Sequence, residues 1–528
     1  MKRIINLAKG LLVAIVISAT MVSCSENVMD TINEDTNHTK DAQAKYILAD
    51  VITSTAFNVV GGDFNTYSSA YVEHEVGTDN QLYRAEHRDN EPSASSTFNN
   101  VWGSTYAALK NARIVIDKCS AGGSQEGNQV TKGIAEVLAA YNSAVIADMF
   151  GDAPFSEAAL INAAGLPQFM NPKIDAQKDI YTGVMKYLND AIVDLKGKDA
   201  HFSGAVGSYD LLYGGNKASW LKLAYGLKAR YTMRLMKRST AVNTDMQAVL
   251  DNVASSFASA DEQAAFSIYD ASNLNPLFDF QWSRNGLAAS ESMSQKLAER
   301  NDPRLRRVFV DAEGWMQMTG ADDEAFFMAP NGANDEAKGY YNTSIFVYSQ
   351  TAPTLLMSYH EVLFLKAEAL ARLGNTVLAK AVLKDAVVAA IANTEVSVKA
   401  AIDAPTVVGY GGLTETSAAI TPAEAGTYFD TNVLPLFTAN PLKEIMNQKY
   451  LAFFGASGES TECFSDIRRM KALNENLVTL KNPLNATKFP LRCPYGSDDT
   501  TNNPNVKTAY GDGTYVYTEK VWWAGGTR

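Results

Sequence analysis

Apolar residues recur at three- and four-residue intervals through much of this chain, and the run 358–373 shows the pattern most clearly. Tyr359, Val362, Leu363, Lys366, Ala367, Leu370 and Leu373 fall on one side of a 3.6-residue turn, which predicts an amphipathic helix. Glu368 and Arg372 add an i,i+4 pair with the acid on its favourable N-terminal side. Gly374-Asn375 then stops the helix, because glycine readily takes the left-handed conformation of a helix end. A second helix is expected at once, over 376–392. The same spacing predicts helices over 99–118, 133–150, 180–195 and 218–237. A chain so patterned folds as mainly α.

The 358–392 hairpin carries Ala367, Ala369, Gly374 and Ala379, small residues that let two helices approach closely, and so resembles a tetratricopeptide unit. No clean period of about 34 residues runs through the chain, so any further units are degenerate and separated by insertions. The segments 239–297, 311–353, 403–429 and 474–528 are rich in Gly, Asn, Asp, Pro and aromatics and read as irregular. Long loops within a folded protein usually carry function. The expected architecture is a scaffold of tetratricopeptide-like helix pairs decorated by a large loop-rich region.

Residues 1–23 have the plan of a secretory signal peptide: Lys2 and Arg3, an apolar stretch from Leu11 to Ile17, then small residues, too short to span a bilayer. Met21-Val22-Ser23-Cys24 resembles a bacterial lipobox, which makes Cys24 the expected lipidation site. Acyl chains contribute ~0.8 kcal/mol per buried methylene and hold a protein to a membrane surface. Residues 24–40 are polar and acidic and read as a flexible tether, leaving 41–528 as a single domain. Beyond Cys24 stand Cys119, Cys463 and Cys493, an odd number that allows at most one disulfide and suits buried small hydrophobes.

The 528 residues carry 46 basic and 58 acidic side chains, a net charge of −12, which excludes a broad nucleic-acid binder. Catalytic patterns are equally scarce. The five histidines are scattered, and Glu73-His74-Glu75 lacks the second histidine of a helical zinc pair, so no metal or other cofactor is expected. Gly455-Ala456-Ser457-Gly458 brings its second glycine one position too early for a nucleophile elbow. Gly214-Gly215 fits neither a phosphate loop nor a dinucleotide turn. Arg468 and Arg469 are expected to pair with acids such as Glu361 or Glu444, and Trp102, Trp220, Tyr231, Trp522 and Trp523 to pack in the core.

Several segments, in order, resemble the SusD/RagB family of outer-membrane nutrient-binding lipoproteins. The segment 141–157 carries the helix and aromatic-Gly-Asp-x-Pro turn (Phe150-Gly151-Asp152-Ala153-Pro154). The segment 212–238 carries a Gly-Gly turn and a Trp-bearing basic helix. Asp302-Pro303-Arg304, the Ala-Glu-Ala helix of 358–374, the segment 445–469 and Pro494-Tyr495 with Asn503-Pro504-Asn505 complete the set. Cys493, where an aromatic is expected, is a departure.

The resemblance implies helix pairs with a loop-built ligand region and a partner, a SusC-type TonB-dependent β-barrel. It also implies outer-membrane localisation through the N-terminal lipid, exposed to the cell exterior, and binding of a nutrient oligosaccharide without catalysis. A peptide ligand in the same family, or a surface-anchored helical polysaccharide hydrolase or lyase, are the alternatives. Sugars stack their apolar C–H faces on aromatic rings while polar side chains bond their hydroxyls. Aromatics in polar, irregular stretches are therefore the candidate contacts: Tyr67, Tyr83, Trp282 with Arg284, Trp315, Tyr340 and Tyr341.

Overall fold

A computed structural model of the chain describes residues 42–88, 96–162, 165–311 and 327–528. Its long helices are, in order, α1 (Ala44–Ser54), α2 (Asp63–Tyr71), α3 (Asn80–His87), α4 (Ser96–Cys119), α5 (Gln129–Phe150), α6 (Gln177–Asp194) and α7 (Lys217–Arg234). There follow α8 (Val242–Ala254), α9 (Pro276–Arg284), α10 (Glu291–Glu299), α11 (Tyr359–Arg372), α12 (Thr376–Ile402), α13 (Pro441–Ala452) and α14 (Ser460–Ala472). Each helix predicted from periodicity is present, with α12 ten residues longer than expected.

Capping chemistry sets the ends. Ser358 Oγ accepts from the Glu361 backbone N–H at 3.1 Å to start α11, and Asn375 accepts from Leu378 N–H at 3.3 Å to start α12. Between them Gly374 takes φ +80°, the left-handed turn that lets the second helix fold back on the first. Consecutive helices pack as neighbours: α4 on α5, α5 on α6, α7 on α8, α11 on α12. Small side chains make the approach possible. Ala135, Ala139, Ala140, Ala144 and Ala147 are fully or almost fully buried on α5. Ala367 of α11 shares a core cluster with Leu383, Ala386 and Val387 of α12. The helix α5 is apolar and long enough to cross a membrane, yet every residue of its most apolar stretch is enclosed by the other helices.

A lattice of buried charges stitches the hairpins together. On α7, Arg230 Nε donates to Glu361 Oε1 of α11 at 2.7 Å, and Arg234 joins Asp148 of α5 to Glu462 of α14. On α14, Arg469 donates to both carboxylate oxygens of Glu368 at 2.6 and 2.8 Å and to Asp466 at 3.0 Å. Lys449 of α13 closes on Asp466 at 2.6 Å. The partners expected for the Arg468–Arg469 pair therefore need correction. Glu361 belongs to Arg230 and Glu444 to Arg300, while Arg468 spends its guanidinium on the Asp148 carbonyl and Ser465 Oγ, lying over the Phe464 ring. Helix geometry explains the difference: Arg469, not Arg468, lies three residues beyond Asp466 on the face toward α11.

The stretch 239–297, expected as irregular, holds α8, α9 and α10. Met246, Val249 and Val253 bury one side of α8 at helical spacing, but the Ser/Asn/Asp-rich sequence around them masks the period. Among the described residues the strands are short and form four antiparallel pairs: β1 (Glu75–Gly77), β2 (Ala153–Pro154), β3 (Ile174–Asp175), β4 (Ala264–Phe266), β5 (Leu287–Ala289), β6 (Phe309–Val310), β7 (Thr343–Ser344) and β8 (Thr354–Met357), paired β1–β5, β2–β3, β4–β8 and β6–β7. Trp102, Trp220, Tyr231 and Trp523 are buried and Trp522 packs partly buried against the core. Cys119, Cys463 and Cys493 are free and buried, and burial pushes the Cys119 and Cys493 thiols up to about 12.

Candidate functional site

Helix α9 organises the loop-rich face. Asn275 caps it by accepting from Leu277 N–H at 2.9 Å, Pro276 occupies the first turn, and Asn285 ends it in the left-handed conformation at φ +49°. The chain then passes Gly286, whose carbonyl accepts from Thr78 N–H at 2.9 Å, and enters β5, which pairs with β1. The segment 327–342 lies against β5: Ala329 N–H donates to Ala289 O at 2.9 Å, and Ala289 N–H to Asn342 O at 2.7 Å.

That segment presents aromatic rings. Phe327 and Tyr340 are 47% and 54% exposed. Phe327 stacks on Tyr341 with centroids 4.9 Å apart and planes at 17°, and Tyr340 stands edge-on to both. Tyr341 is buried with Val76, Ala288 and Ala329, so it is the pedestal and Phe327 with Tyr340 the surface.

Helix α3 clamps this platform. His87 Nε2 lies 2.9 Å from Asn334 O, and Asn334 Nδ2 donates to Gly77 O at 3.0 Å. Asn80 N–H donates to Glu336 Oε1 at 3.1 Å, and Lys338 pairs with Asp79 at 3.1 Å. Gly332 N–H donates to Glu86 Oε1 at 2.7 Å. Gly332 sits at φ +71°, and a Cβ there would meet the Asn482 side chain at 2.6 Å, so only glycine fits.

Trp282, 36% exposed, lies flat on buried Phe278, with centroids 5.4 Å apart and planes at 12°. It meets Tyr410, 64% exposed, edge-on at 5.3 Å. On the other side of α9, Asp279, Phe280, Ser283 and Arg284 line a cavity of about 290 Å³ with Asp63 and Asn100. Burial raises the Asp63 carboxyl, and Arg284 pulls it back.

The remaining candidates scatter. Tyr83 lies tilted against His87, with ring centroids 4.1 Å apart, beside the clamp. Tyr67 is buried, packed on Tyr71 and Phe98 with its hydroxyl 3.1 Å from Gln81 Oε1, so it shapes the core beneath α3. Trp315 and Cys24 lie outside the described residues. Sequence reasoning missed Phe327, Tyr410 and Asn285. Tyr410 stands between Gly409 and Gly411-Gly412, and the criterion that selected Tyr340 would have found it.

The His74–Ser460 pair and the three cysteines of the described residues are enclosed. His74 Nδ1 and Ser460 Oγ are 2.9 Å apart, but both residues are buried and the second ring nitrogen faces Tyr450 O at 3.1 Å. Burial pushes the His74 imidazole down to about 3, so it is neutral in the folded protein. Among the described residues no three His, Cys, Asp or Glu side chains converge as a metal site.

Glu86 allows a pH test. Burial pushes its carboxyl up to about 8, with Arg88 opposing. A folded-state value above the unfolded one, about 4.3, means that the fold loses stability as pH rises between the two, by at most ~1.4 kcal/mol per pH unit from this group. Glu86→Gln, which mimics the protonated acid, is expected to flatten that part of the stability profile between pH 5 and 8. Urea midpoints of the two proteins across this range check it, and parallel curves would refute it.

Helix hairpins carrying a loop-built aromatic face define an α-helical scaffold of the tetratricopeptide-like kind. The SusD-like family model, described as "starch-binding associating with outer membrane", matches residues 36–495. A crystal structure of a SusD/RagB family protein from Bacteroides thetaiotaomicron is 54% identical, with TM-score 0.86, covering 92% of this chain and 100% of that one. A chitin-binding SusD homolog from Flavobacterium johnsoniae, 18% identical, shares the fold at TM-score 0.65 over 92% of this chain and 99% of that one. A SusD homolog from Bacteroides fragilis, 20% identical, does so at 0.68 over 92% and 100%. No curated protein matches. The chain belongs to the SusD-like family, whose description is starch-binding in association with the outer membrane.

Proposed function

We propose that this protein captures a nutrient oligosaccharide outside the cell, without breaking any bond, and hands it to a SusC-type TonB-dependent barrel in the outer membrane. In this reading the leader 1–23 is removed, Cys24 carries the lipid, and residues 24–40 leash the folded part to the membrane. The observation that carries the proposal is the exposed Phe327–Tyr340 surface on its Tyr341 pedestal, in a segment that also carries the Lys338–Asp79 ion pair. Ring faces suit the C–H faces of sugars, while Asn, Asp and Lys side chains suit hydroxyls. A cavity of about 500 Å³ between α11, α12 and residues Pro422–Tyr428 mixes Val388, Ala389, Ala392 and Val396 with Lys384, Asp385 and Asn393, and Tyr359 is the one aromatic ring besides His360 that lines it.

Tyr340→Ala is expected to weaken glycan binding about 5- to 30-fold, about 1–2 kcal/mol, without altering stability, since the side chain is more than half exposed. A glycan and peptide array probed with the purified protein, followed by calorimetry on the hits, measures it. Unchanged affinity removes Tyr340 from the site, and an array lit only by peptides replaces the ligand class. New reducing ends after incubation with glycan would instead favour a hydrolase. Transfer to the barrel is tested by pull-down from detergent-solubilised outer membrane, where a large β-barrel must co-elute.

A further inference from the structure

We infer that the face where α1 begins, marked by Tyr46, Phe202 and Tyr209, lies directly on the lipid bilayer, with its rings among anionic headgroups. This rests on the lipid-anchor reading above and adds an orientation to it: the acyl chains tether the protein, and this patch decides which side meets the membrane.

The sequence of α1 sets the first part of the patch. Ala44, Leu48, Val51 and Ile52 bury one side of the helix at helical spacing, which leaves Tyr46 exposed on the other. Tyr46 meets exposed Tyr209 edge-on, with centroids 5.0 Å apart, and Lys45 Nζ stands 5.0 and 5.1 Å from the two ring centres. Gln125 joins this group to the turn Phe202–Gly204. Its Oε1 accepts from Ala44 N–H at 2.9 Å, and its Nε2 lies so close to Gly204 that a Cβ there would collide with it. The turn is braced from beneath. His201 N–H donates to Asn128 Oδ1 at 2.7 Å, Asn128 Nδ2 donates to His201 O at 3.2 Å, and Gly204 and Ala205 N–H both return to His201 O at 3.1 Å. At the tip of this fixed turn Phe202 is 95% exposed.

Chain connectivity, charge and ring chemistry select a lipid surface as the occupant. The stretch from Cys24 leads into α1 at Ala44. Read as a leash, a coil of about 20 residues spans about 25 Å, less than half the ~60 Å width of a compact domain of this size. The acyl chains therefore bring this face to the bilayer sooner than the opposite one. Its segments carry Lys45 and the exposed Lys196 and Lys198, and Lys217 Nζ donates to Gly197 O at 2.6 Å beside them. The acids of the same segments are Glu126, which accepts from Gly122 N–H, and Asp199, which accepts from Thr131. Lysines lead here on a chain of net charge −12. Tyrosine and phenylalanine rings flanked by lysines suit the headgroup layer, where ring faces are buried and ammonium groups meet phosphate.

The test uses the mature chain acylated at Cys24, in vesicles of phosphatidylcholine and phosphatidylglycerol. A fluorophore on Ser203→Cys labels the turn, since Cys119, Cys463 and Cys493 are buried; one on Val396→Cys labels the exposed side of α12. Brominated lipid is expected to quench the first at least ~3-fold more than the second. The unacylated mature chain, Cys24→Ser, should sediment with the same vesicles, and Phe202→Ser with Tyr46→Ser should lower that partition at least ~10-fold. Circular dichroism confirms the fold of each variant. Equal quenching at both positions, or a double variant that sediments like its parent, overturns the patch. Shielding of the turn only in a complex with an outer-membrane barrel assigns this face to a protein and overturns it too. If mass spectrometry finds Cys24 unacylated, the anchor reading fails by itself, and sedimentation of the unacylated chain still decides the patch.

Discussion

Replacing Arg469 with methionine is expected to cost the fold about 3–5 kcal/mol, seen as a lower urea midpoint. Arg469 is fully buried and donates to both oxygens of Glu368, itself fully buried, and to Asp466. Removing it leaves Glu368 with Arg372 alone, whose other donors are spent on Glu475 at 2.8 Å. Burial by itself would raise the Glu368 carboxyl, but Arg469 and Arg372 hold it well below the usual carboxylate range. A depressed acid contributes stability that is fully present above its unfolded value, about 4.3, and is lost as pH falls through the folded value. Wild type therefore loses this contribution only in strong acid, and Arg469→Met loses it at neutral pH. The double variant Arg469→Met/Glu368→Leu should regain most of the loss, because no buried charge is stranded. A single variant less than about 1 kcal/mol from wild type would show that the pair contributes orientation but no net stability.

How legible was this in the sequence? The hairpins were, because a helix that buries one face writes a 3.6-residue period. The 358–373 run, the 133–150 run and the Gly374 stop all appear where that period ends. Helices α1, α2 and α3 were not read as helices. Residues 63–71 are buried nearly all round, with Asn65, Thr66, Ser68 and Ser69 inside, so no apolar stripe marks them. The ionic lattice was half visible. Arginines and acids could be seen to need partners, but which pairs form depends on how α7, α11, α13 and α14 cross, and no local pattern encodes that.

The candidate binding face was harder still. Aromatics in polar stretches were a sound filter, and it selected Tyr340, exposed and edge-on to its neighbours, and Trp282, stacked on Phe278. It also selected Tyr67 and Tyr341, both buried. One residue separates platform from pedestal in Tyr340-Tyr341, and the choice is made by β1 and β5, sequence neighbours of neither. Asn285 has no signal of its own beyond being an asparagine at a helix end, where the left-handed conformation favours it.

Glu73→Ala is the change expected to link stability most directly to binding. Glu73 is completely buried at φ +64°, just before β1. Its carboxylate accepts from the backbone N–H groups of Lys481 and Asn482, both at 2.7 Å, and from Asn485 Nδ2 at 2.9 Å. Truncation leaves three donors without their acceptor. At about 1–3 kcal/mol each, with Lys481 partly relieved by solvent, a loss of about 3–5 kcal/mol follows. The backbone strain is unchanged, since alanine keeps the Cβ. The consequences run outward through bonds already described. Asn482 Nδ2 donates to Glu86 O at 3.0 Å, Arg88 donates to Asn485 Oδ1 at 2.6 Å, and Glu86 holds Gly332. Loosening 481–485 therefore loosens the end of α3 and, through it, the segment carrying Tyr340. Amide exchange should quicken over 330–341 in Glu73→Ala, and on the proposed function glycan affinity should fall although no proposed contact residue has changed. Exchange at 330–341 as slow as in wild type, in a protein whose midpoint has dropped, would break the connection between this buried carboxylate and the aromatic face.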